Sequence, residues 1–496
     1  MPDSARDEKT FRPERERELV VLMGIPLDNL SMDETVDRLE EFVESGRPHY
    51  VATANVNFVV AAHRDEEFME VVRMADLITA DGMPLIWASS KLGLPLKERV
   101  TGSDLVPRLI ELAARRNWGI FFLGGAPGVG EEAARRLHES YPDLRIGHYS
   151  PEFTPLLEMD QETVFREVQS FRPQFLFVSL GAGKAEKWLR MNSAQIGVPV
   201  AIGVGATIDF LAGRVSRAPE WMKKTGLEWF YRFLQEPRRM FGRYFRDFWA
   251  FARLYRAERR SFLERQKTAD STRSEMRMQE DGSGKICIVD GRFDSMTADG
   301  IAHNAEGELE KGNGVALDLS GVTFMDSRGL GVLVALEKMA RKNNVPFAIG
   351  AASEDAMRVI RLGRLEDFLP LHESMAAARK LVMAGREDSL LELGREGEAT
   401  RVRLLGRLDA DSFQAMKKKL LGAVDEAERG VHRVELDLSH VDFMDSTGLT
   451  AIILMHKACV QHGIELDIVA LSEPVARLFA LTKMEAYLNL TGAKAS

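Results

Sequence analysis

The sequence predicts an α/β protein: one large domain built on a parallel sheet, followed by two copies of a smaller α/β domain. Three observations carry this. From Glu18 to about residue 245, short apolar runs alternate with stretches of helical periodicity, the rhythm of βαβ units. Two of the runs end in glycine-rich turns, GGAPGVG at Gly124 and GAG at Gly181. Finally, FMDSRGL at Phe324 recurs as FMDSTGL at Phe443, 119 positions later.

In chain order, VVLMGIPL reads as a strand, and Ser31 with Glu34 forms a capping box opening a helix with Val36, Leu39 and Val43 on one face. HYVATANVNF is a second strand, WGIFFLGG a third, FLFVSLGAG a fourth and VPVAIGVGA a fifth, with helical segments between them. SEMRMQEDGSGK, from Ser274, reads as a polar linker. VALDLSGVTFMDSRGLGVLVALEKMARKNNV from Val315 then aligns without gaps on VELDLSHVDFMDSTGLTAIILMHKACVQHGI from Val434. GRFD at Gly291 and GRLD at Gly406 precede the two copies. Each unit is long enough for a small domain and too long for a solenoid repeat. Each reads strand, helix, strand, DSxGL turn, helix, strand, helix. The expected divisions are a disordered tail over 1–17, a domain over 18–245, a basic aromatic helix and linker over 246–282, and repeat domains over 283–386 and 387–496.

Composition narrows the function classes. The chain of 496 residues is 45% hydrophobic and 28% charged, as for a globular protein with real cores. A net charge of -9 leaves no nucleic-acid footprint, so no nucleic-acid partner is expected. Cys287 and Cys459 each lie in an apolar run and read as buried free thiols, which fits a cytoplasmic address. The first residues, MPDSARDEKTFRPERERE, lack the apolar core of a signal peptide. The weakly polar stretch from Ile196 carries Asp209 and several glycines and reads as buried strand and loop, not a membrane span.

Several residues can carry chemistry. Asp81 follows a strand and precedes a helix, the place for a general base or for a helix cap. Thr53, Asn55 and Asn57 lie at another strand end. The Gly124 turn could cradle a diphosphate on its N–H groups. Its spacing is not GxGxxG and no acid follows to hold a ribose, which weighs against a nicotinamide cofactor. No metal-ligand cluster is visible, and DAD at Asp409 reads as surface. In FMDSxGL, Asp-Ser sits at a strand-to-helix turn. It is either a cap alone or a place where a phosphate on the serine meets the positive helix end.

Both repeat copies resemble the STAS domain, the anti-sigma-factor-antagonist fold, on the stretch LDLSxVxFMDSxGL. That resemblance implies that Ser327 and Ser446 are the serines phosphorylated by a partner kinase, with binding to that kinase or an anti-sigma-type protein switched as a result. Asp326 and Asp445 flank them, and Asp294 and Asp409 occupy the GRxD turns. No Walker-type ATP site appears, so any such kinase is a separate partner.

The first domain resembles the WecG/TagA/CpsF family of glycosyltransferases from about residue 20 to 245. The matching pieces are GIPLDNLSMDE, TANVNFVVAA, LITADGMPLIWAS, RVTGSDL, FFLGGAPGVGEEAA, VSLGAGKAEKWL, GVGATIDFLAGRVSRAPEWM and GLEWFYRFLQEPRRMFGRY. The resemblance implies a Rossmann-like domain. It also implies inverting, metal-independent transfer of a sugar, often an N-acetylhexosamine, from a UDP donor to a polyprenyl-diphosphate-linked sugar for surface polysaccharide. No cofactor is implied. Asp81 then matches the base, with Thr53 and Asn55 beside it. Arg99, Gly102 and Asp104 match an RxxGxDL turn, and Gly124 and Gly125 the nucleotide loop. Asp209 lies in GVGxxxDF. Arg214, Arg217, Arg232 and Arg239 are the candidates to neutralise the leaving diphosphate. Where the family reads GxPKQExW, this chain reads GAGKAEKW: Lys184, Glu186 and Trp188 stay, while Gly183 and Ala185 replace proline and glutamine. That departure keeps open an alternative, a catalytically degenerate scaffold whose STAS pair is the working part.

Between Lys223 and Lys267 lie thirteen Lys/Arg against five Asp/Glu, with twelve aromatic residues. On a helical wheel Phe241, Tyr244, Phe245, Phe248, Phe251 and Tyr255 share a face, with Arg239, Arg243, Arg246, Arg253 and Arg260 opposite. Such a helix suits an anionic membrane surface, or packs on the catalytic domain. Peripheral association with the inner face of the cytoplasmic membrane is the expectation.

Overall fold

The computed structural model describes residues 18–181, 183–215, 219, 222, 231, 237–268, 275–281, 284–294, 296–384, 391–396, 399–428, 433–482, 484 and 488. The expected tail over 1–17 lies outside them.

The run VVLMGIPL, expected as one strand, is a hairpin of β1 (Leu19–Leu22) and β2 (Ile25–Asp28). Met23 and Gly24 both take positive φ, 50° and 79°, and two consecutive left-handed residues give the turn whose twist matches a tight hairpin. The capping box opening α1 (Met32–Ser45) is present: Glu34 N donates to Ser31 Oγ at 3.2 Å and Ser31 N to Glu34 Oε2 at 2.8 Å. Val36, Leu39 and Val43 are its buried residues, with Thr35.

The main sheet then forms from β3 (His49–Ala54), β4 (Leu77–Ala80), β5 (Ile120–Gly124), β6 (Ile146–Tyr149), β7 (Phe175–Ser179) and β8 (Val200–Gly203). Its order is β4-β3-β8-β7-β5-β6 and every pairing is parallel. Between the strands run α2 (Val56–Ala62), α3 (Glu66–Met74), α4 (Met83–Lys91), α5 (Gly102–Arg116), α6 (Val129–Ser140), α7 (Gln161–Phe171) and α8 (Lys184–Ile196), and α9 (Thr207–Leu211) follows β8. Helices on both faces explain why β3, β4, β5 and β8 are buried at every position. A parallel sheet puts all its carboxyl ends along one edge, and that edge carries the candidate site.

A long helix, Pro237–Thr268, leaves this domain. It divides the expected aromatic face. Phe251 is buried and Leu254 and Tyr255 pack on the domain core, whereas Phe245 and Phe248 stay 58% and 63% exposed, beside an exposed Trp249.

The first repeat domain is a five-stranded sheet in the order β13-β12-β11-β10-β9. It comprises β9 (Glu275–Asp281), β10 (Gly284–Phe293), β11 (Gly314–Met325), β12 (Phe347–Gly350) and β13 (Leu371–His372). The SEMRMQEDGSGK segment, read as a linker, supplies its antiparallel edge strand β9. An edge strand needs little apolar sequence, so its polarity hid it. The second repeat sheet runs β14 (Leu391–Glu396), β15 (Ala399–Leu408), β16 (Arg433–Met444) and β17 (Glu465–Leu471), in that order. Both cysteines are free and buried. One hydrophobic core runs without a break from the N-terminal domain into the first repeat domain; the second repeat domain has a core of its own.

Candidate active site

Five strands of the main sheet deliver residues to one edge. β4 ends at Ala80, and Asp81 N donates to Ala54 O of β3 at 2.7 Å, so Asp81 is held across the ends of both strands. Asp81 is half-buried. It lies one residue before the N-cap of α4, Gly82, which takes φ 148°, and proline follows in the first turn.

Val100 N donates to Ala80 O at 3.0 Å and straps the RVTGSDL segment beside β4. Thr101 caps α5, accepting from Asp104 N at 3.1 Å, while its hydroxyl donates to Asp104 Oδ2 at 2.8 Å. The same carboxylate oxygen lies 3.6 Å from the Arg99 guanidinium. Asp104 thus fixes Arg99 at the site edge. Thr53 is buried beside Gly102, the first residue of α5. Asn55 caps α2, its carbonyl accepting from Phe58 N at 3.1 Å, a structural duty the sequence reading did not give it.

The glycine turn after β5 is built by close approach. Gly124 takes φ 95°, and a Cβ there would sit 2.4 Å from Ser179 O. Gly125 N donates to that carbonyl at 2.9 Å. Gly128, also left-handed, opens α6 without a side-chain cap, leaving a helix N-terminus suited to an anion. Arg214 reaches this loop, Nη2 to Pro127 O at 3.4 Å. Asp209 holds the same segment through its backbone, its carbonyl accepting from Arg214 N at 3.0 Å. Arg217 and Arg232 lie outside the described residues, and Arg239 lies in the long helix.

At the start of α8, Glu186 folds back so that Gly183 N donates to its carboxylate at 2.9 Å. It is buried against Gly203 at the end of β8, and burial pushes its carboxyl up to about 7. Lys184 donates to Thr154 O and sits 4.9 Å from the Phe153 ring centroid. Lys184 and Lys187 line a cavity of about 610 Å³ with Asn57, Phe58, Phe68 and Phe153. Lys187, inside GAGKAEKW but not singled out in the sequence, pairs with Asp65 at 2.8 Å and Glu67 at 2.7 Å.

The two FMDSxGL copies fold alike. Asp326 caps the helix Ser327–Lys342 through Arg328 N and Gly329 N, and Asp445 caps the helix Ser446–Gln461 through Thr447 N and Gly448 N. The serine is the first helical residue each time. A Cβ on Gly329 or Gly448 would lie 2.3 or 2.2 Å from the carbonyl of Phe293 or Leu408, which explains the invariant glycine of the pair. Arg292 and Arg407, from GRFD and GRLD, each cover the motif phenylalanine at 4.1 Å. Ser327 is buried; Ser446 N donates to Glu67 Oε1 at 2.9 Å and its hydroxyl donates to the same oxygen. Asp409, expected on the surface, is buried at this junction, its carboxyl held well below the usual range by Arg407, Arg341 and Arg190 despite burial.

Residues 20–265 match the profile of the "Glycosyl transferase WecG/TagA/CpsF family". Residues 275–378 match that of the STAS domain and residues 391–491 that described as "Mlab, STAS domain". The N-acetylglucosaminyldiphosphoundecaprenol N-acetyl-beta-D-mannosaminyltransferase of Staphylococcus aureus strain MRSA252 is 30% identical over 223 residues, 45% of this chain and 86% of its own. The protein of the same name from strain MW2 gives the same figures. Among solved structures, an anti-sigma factor antagonist from Mycobacterium paratuberculosis is 23% identical over 23% of this chain and 98% of its own, with a TM-score of 0.21. With a parallel α/β domain, its strand-edge site and two DSxGL helices in place, the chain belongs to the WecG/TagA/CpsF family of glycosyl transferases and carries two STAS domains behind the transferase domain.

Proposed function

We propose that this chain transfers an N-acetylhexosamine from a UDP donor to a polyprenyl-diphosphate-linked sugar, inverting the anomeric centre without a metal. The S. aureus relatives' printed name points to N-acetylmannosamine as the sugar and N-acetylglucosaminyl-diphosphoundecaprenol as the acceptor. The observation that carries the reading is the Asp81 carboxylate at the end of β4, on the same sheet edge as a glycine loop reached by Arg214. Asp81 takes the proton from the acceptor hydroxyl as that oxygen attacks the anomeric carbon. The bond from that carbon to the donor diphosphate breaks, and UDP leaves. The uncapped α6 N-terminus and Arg214 receive its charge, with Arg217, Arg232 and Arg239 as the further candidates. Thr53, Asn55, Arg99, Asp104, Lys184, Glu186 and Asp209 bind or position substrate in this reading.

Among the described residues no helix is long and apolar enough to cross a membrane. The exposed Phe245, Phe248 and Trp249 support contact with an anionic membrane surface on its cytoplasmic side, where the acceptor resides. The STAS pair acts as a regulatory tail, with Ser327 and Ser446 as phosphate acceptors from a partner kinase. The test is turnover by the purified chain across a panel of UDP-sugars with a polyprenyl-diphosphate-GlcNAc acceptor. Product from one donor supports the reading. No product and no UDP binding turns the weight to a scaffold, which the GAGKAEKW departure would then explain.

A further inference from the structure

The two STAS domains are attached to the transferase domain by different physics. The first shares its hydrophobic core with the transferase domain. Its helix Ser327–Lys342 lies against β1, so closely that a Cβ on Gly331 would meet Leu19 O at 2.8 Å. The second has a separate core and meets α3 and α8 through polar contacts: Ser446 on Glu67, Arg407 on Glu70 at 2.6 Å, and Asp411 on Arg190 at 2.6 Å. A shared apolar core does not part without exposing it, whereas a polar dock can exchange its bonds for water.

The dock is also acidic at one point. The Glu67 carboxylate accepts both bonds from Ser446, and Asp445, one residue before, is a second buried carboxyl. Negative charge introduced at Ser446 would face the Glu67 carboxylate, and like charges removed from water repel strongly. Lys187 pairs with Glu67, and Asp65 already shares it.

We propose that the second STAS domain is a releasable module whose built-in partner is the α3 surface of its own transferase domain, and that negative charge at Ser446 undocks it while the first STAS domain stays fixed. The regulatory reading of the tail supplies the natural source of that charge; the inference does not depend on the transfer reaction. Release bears on the cavity because α3 serves both. Its cap Asp65 and its Phe68 line the cavity, and its Glu67 and Glu70 hold the STAS domains. In the docked state the Ser446 hydroxyl is engaged by Glu67, so a charge added to it during a transient opening shifts the equilibrium to the undocked state.

Hydrogen–deuterium exchange of the full chain tests this without turnover. Ser446→Asp should raise exchange in α3 and in the first turn of the helix Ser446–Gln461 by about tenfold or more. The interior of β16, which reports folding of the second domain, and the helix Ser327–Lys342 should match wild type. Adding Glu67→Gln to Ser446→Asp should return the dock toward wild type, since an amide can donate to the new carboxylate. Arg190→Glu, set against Asp411, leaves the second STAS domain's own sequence untouched and should open the same segments. Unchanged exchange at the dock in both Ser446→Asp and Arg190→Glu overturns the proposal. So does equal opening of the helix Ser327–Lys342, because the two domains would then move as one.

Discussion

Arg341 of the first STAS domain and Glu70 of the transferase domain form an ion pair buried at both ends, with side chains 2% and 8% exposed. Arg407 of the second STAS domain reaches the same Glu70 oxygen at 2.6 Å. One carboxylate on α3 therefore holds cations from both STAS domains. Its carboxyl is kept below the ordinary range by Arg407 and Arg341 despite its burial. Removing it strands two guanidinium groups, of which Arg341 keeps Glu337 and Arg407 keeps Asp409. We expect Glu70→Ala to cost about 2–4 kcal/mol, somewhat under the ~3–5 kcal/mol of breaking a buried pair from one side because each guanidinium keeps a second carboxylate. Denaturant unfolding of the full chain measures it, and Asp76→Ala, which removes the partner of the more exposed Lys342, should cost less.

The glycine loop gives a graded prediction. Gly124→Ala combines a left-handed backbone with a Cβ 2.4 Å from Ser179 O; Gly125→Ala has the same backbone strain, but its nearest contact is Val129 at 3.5 Å. Gly125→Ala should cost about 1–2 kcal/mol, the penalty for a side chain at positive φ. Gly124→Ala should cost clearly more and weaken UDP binding with it, because β5 and β7 must separate. Thermal melting and UDP titration of the two variants check the order.

Glu186 sets a pH dependence. Its folded-state carboxyl titrates at about 7 instead of 4.5, because burial disfavours the anion. The folded state therefore binds the proton more tightly than the unfolded chain. This contribution to stability is complete below about 4.5 and is lost as pH rises through about 7. The stake is about 3 kcal/mol for a shift of this size. Glu186→Gln should flatten the stability profile over that window, read by denaturant midpoints between pH 5 and pH 8.

The long helix carries the membrane prediction. Phe248 and Trp249 are exposed, while Phe251 is committed to the core. Replacing Phe248 and Trp249 with serine should weaken flotation with anionic liposomes by about tenfold, the scale for losing two interfacial aromatics, without lowering stability. Phe251→Ser should lower stability. Flotation unchanged in the double variant would mean that the exposed rings face something other than lipid.

The sequence made the main sheet legible because its strands are short apolar runs punctuated by glycine, and the two STAS copies legible because they repeat. What it hid has physical reasons. The β1–β2 hairpin sits inside a single apolar run, where only Gly24 marks the turn. Strand β9 is polar because it lies at an edge. Asp409 reads as a surface residue since the partners its own repeat supplies, Arg407 and Ser412, are only part of its setting; Arg190 and Arg341, whose charges also hold its carboxyl down, come from two other domains. The same holds for Ser446, whose partner Glu67 is 379 positions away. At the active site, residue types and strand ends were readable. That Asn55 also caps a helix was not.

The central claim rests on Asp81, and its most direct test is the turnover rate of Asp81→Asn beside wild type, with UDP binding measured on both. The account predicts a loss of about 10²–10⁴-fold in rate, the range for removing a general base, with UDP affinity and melting temperature unchanged because asparagine keeps the size and shape of the side chain. A variant that turns over at the wild-type rate, or one that unfolds, would contradict it.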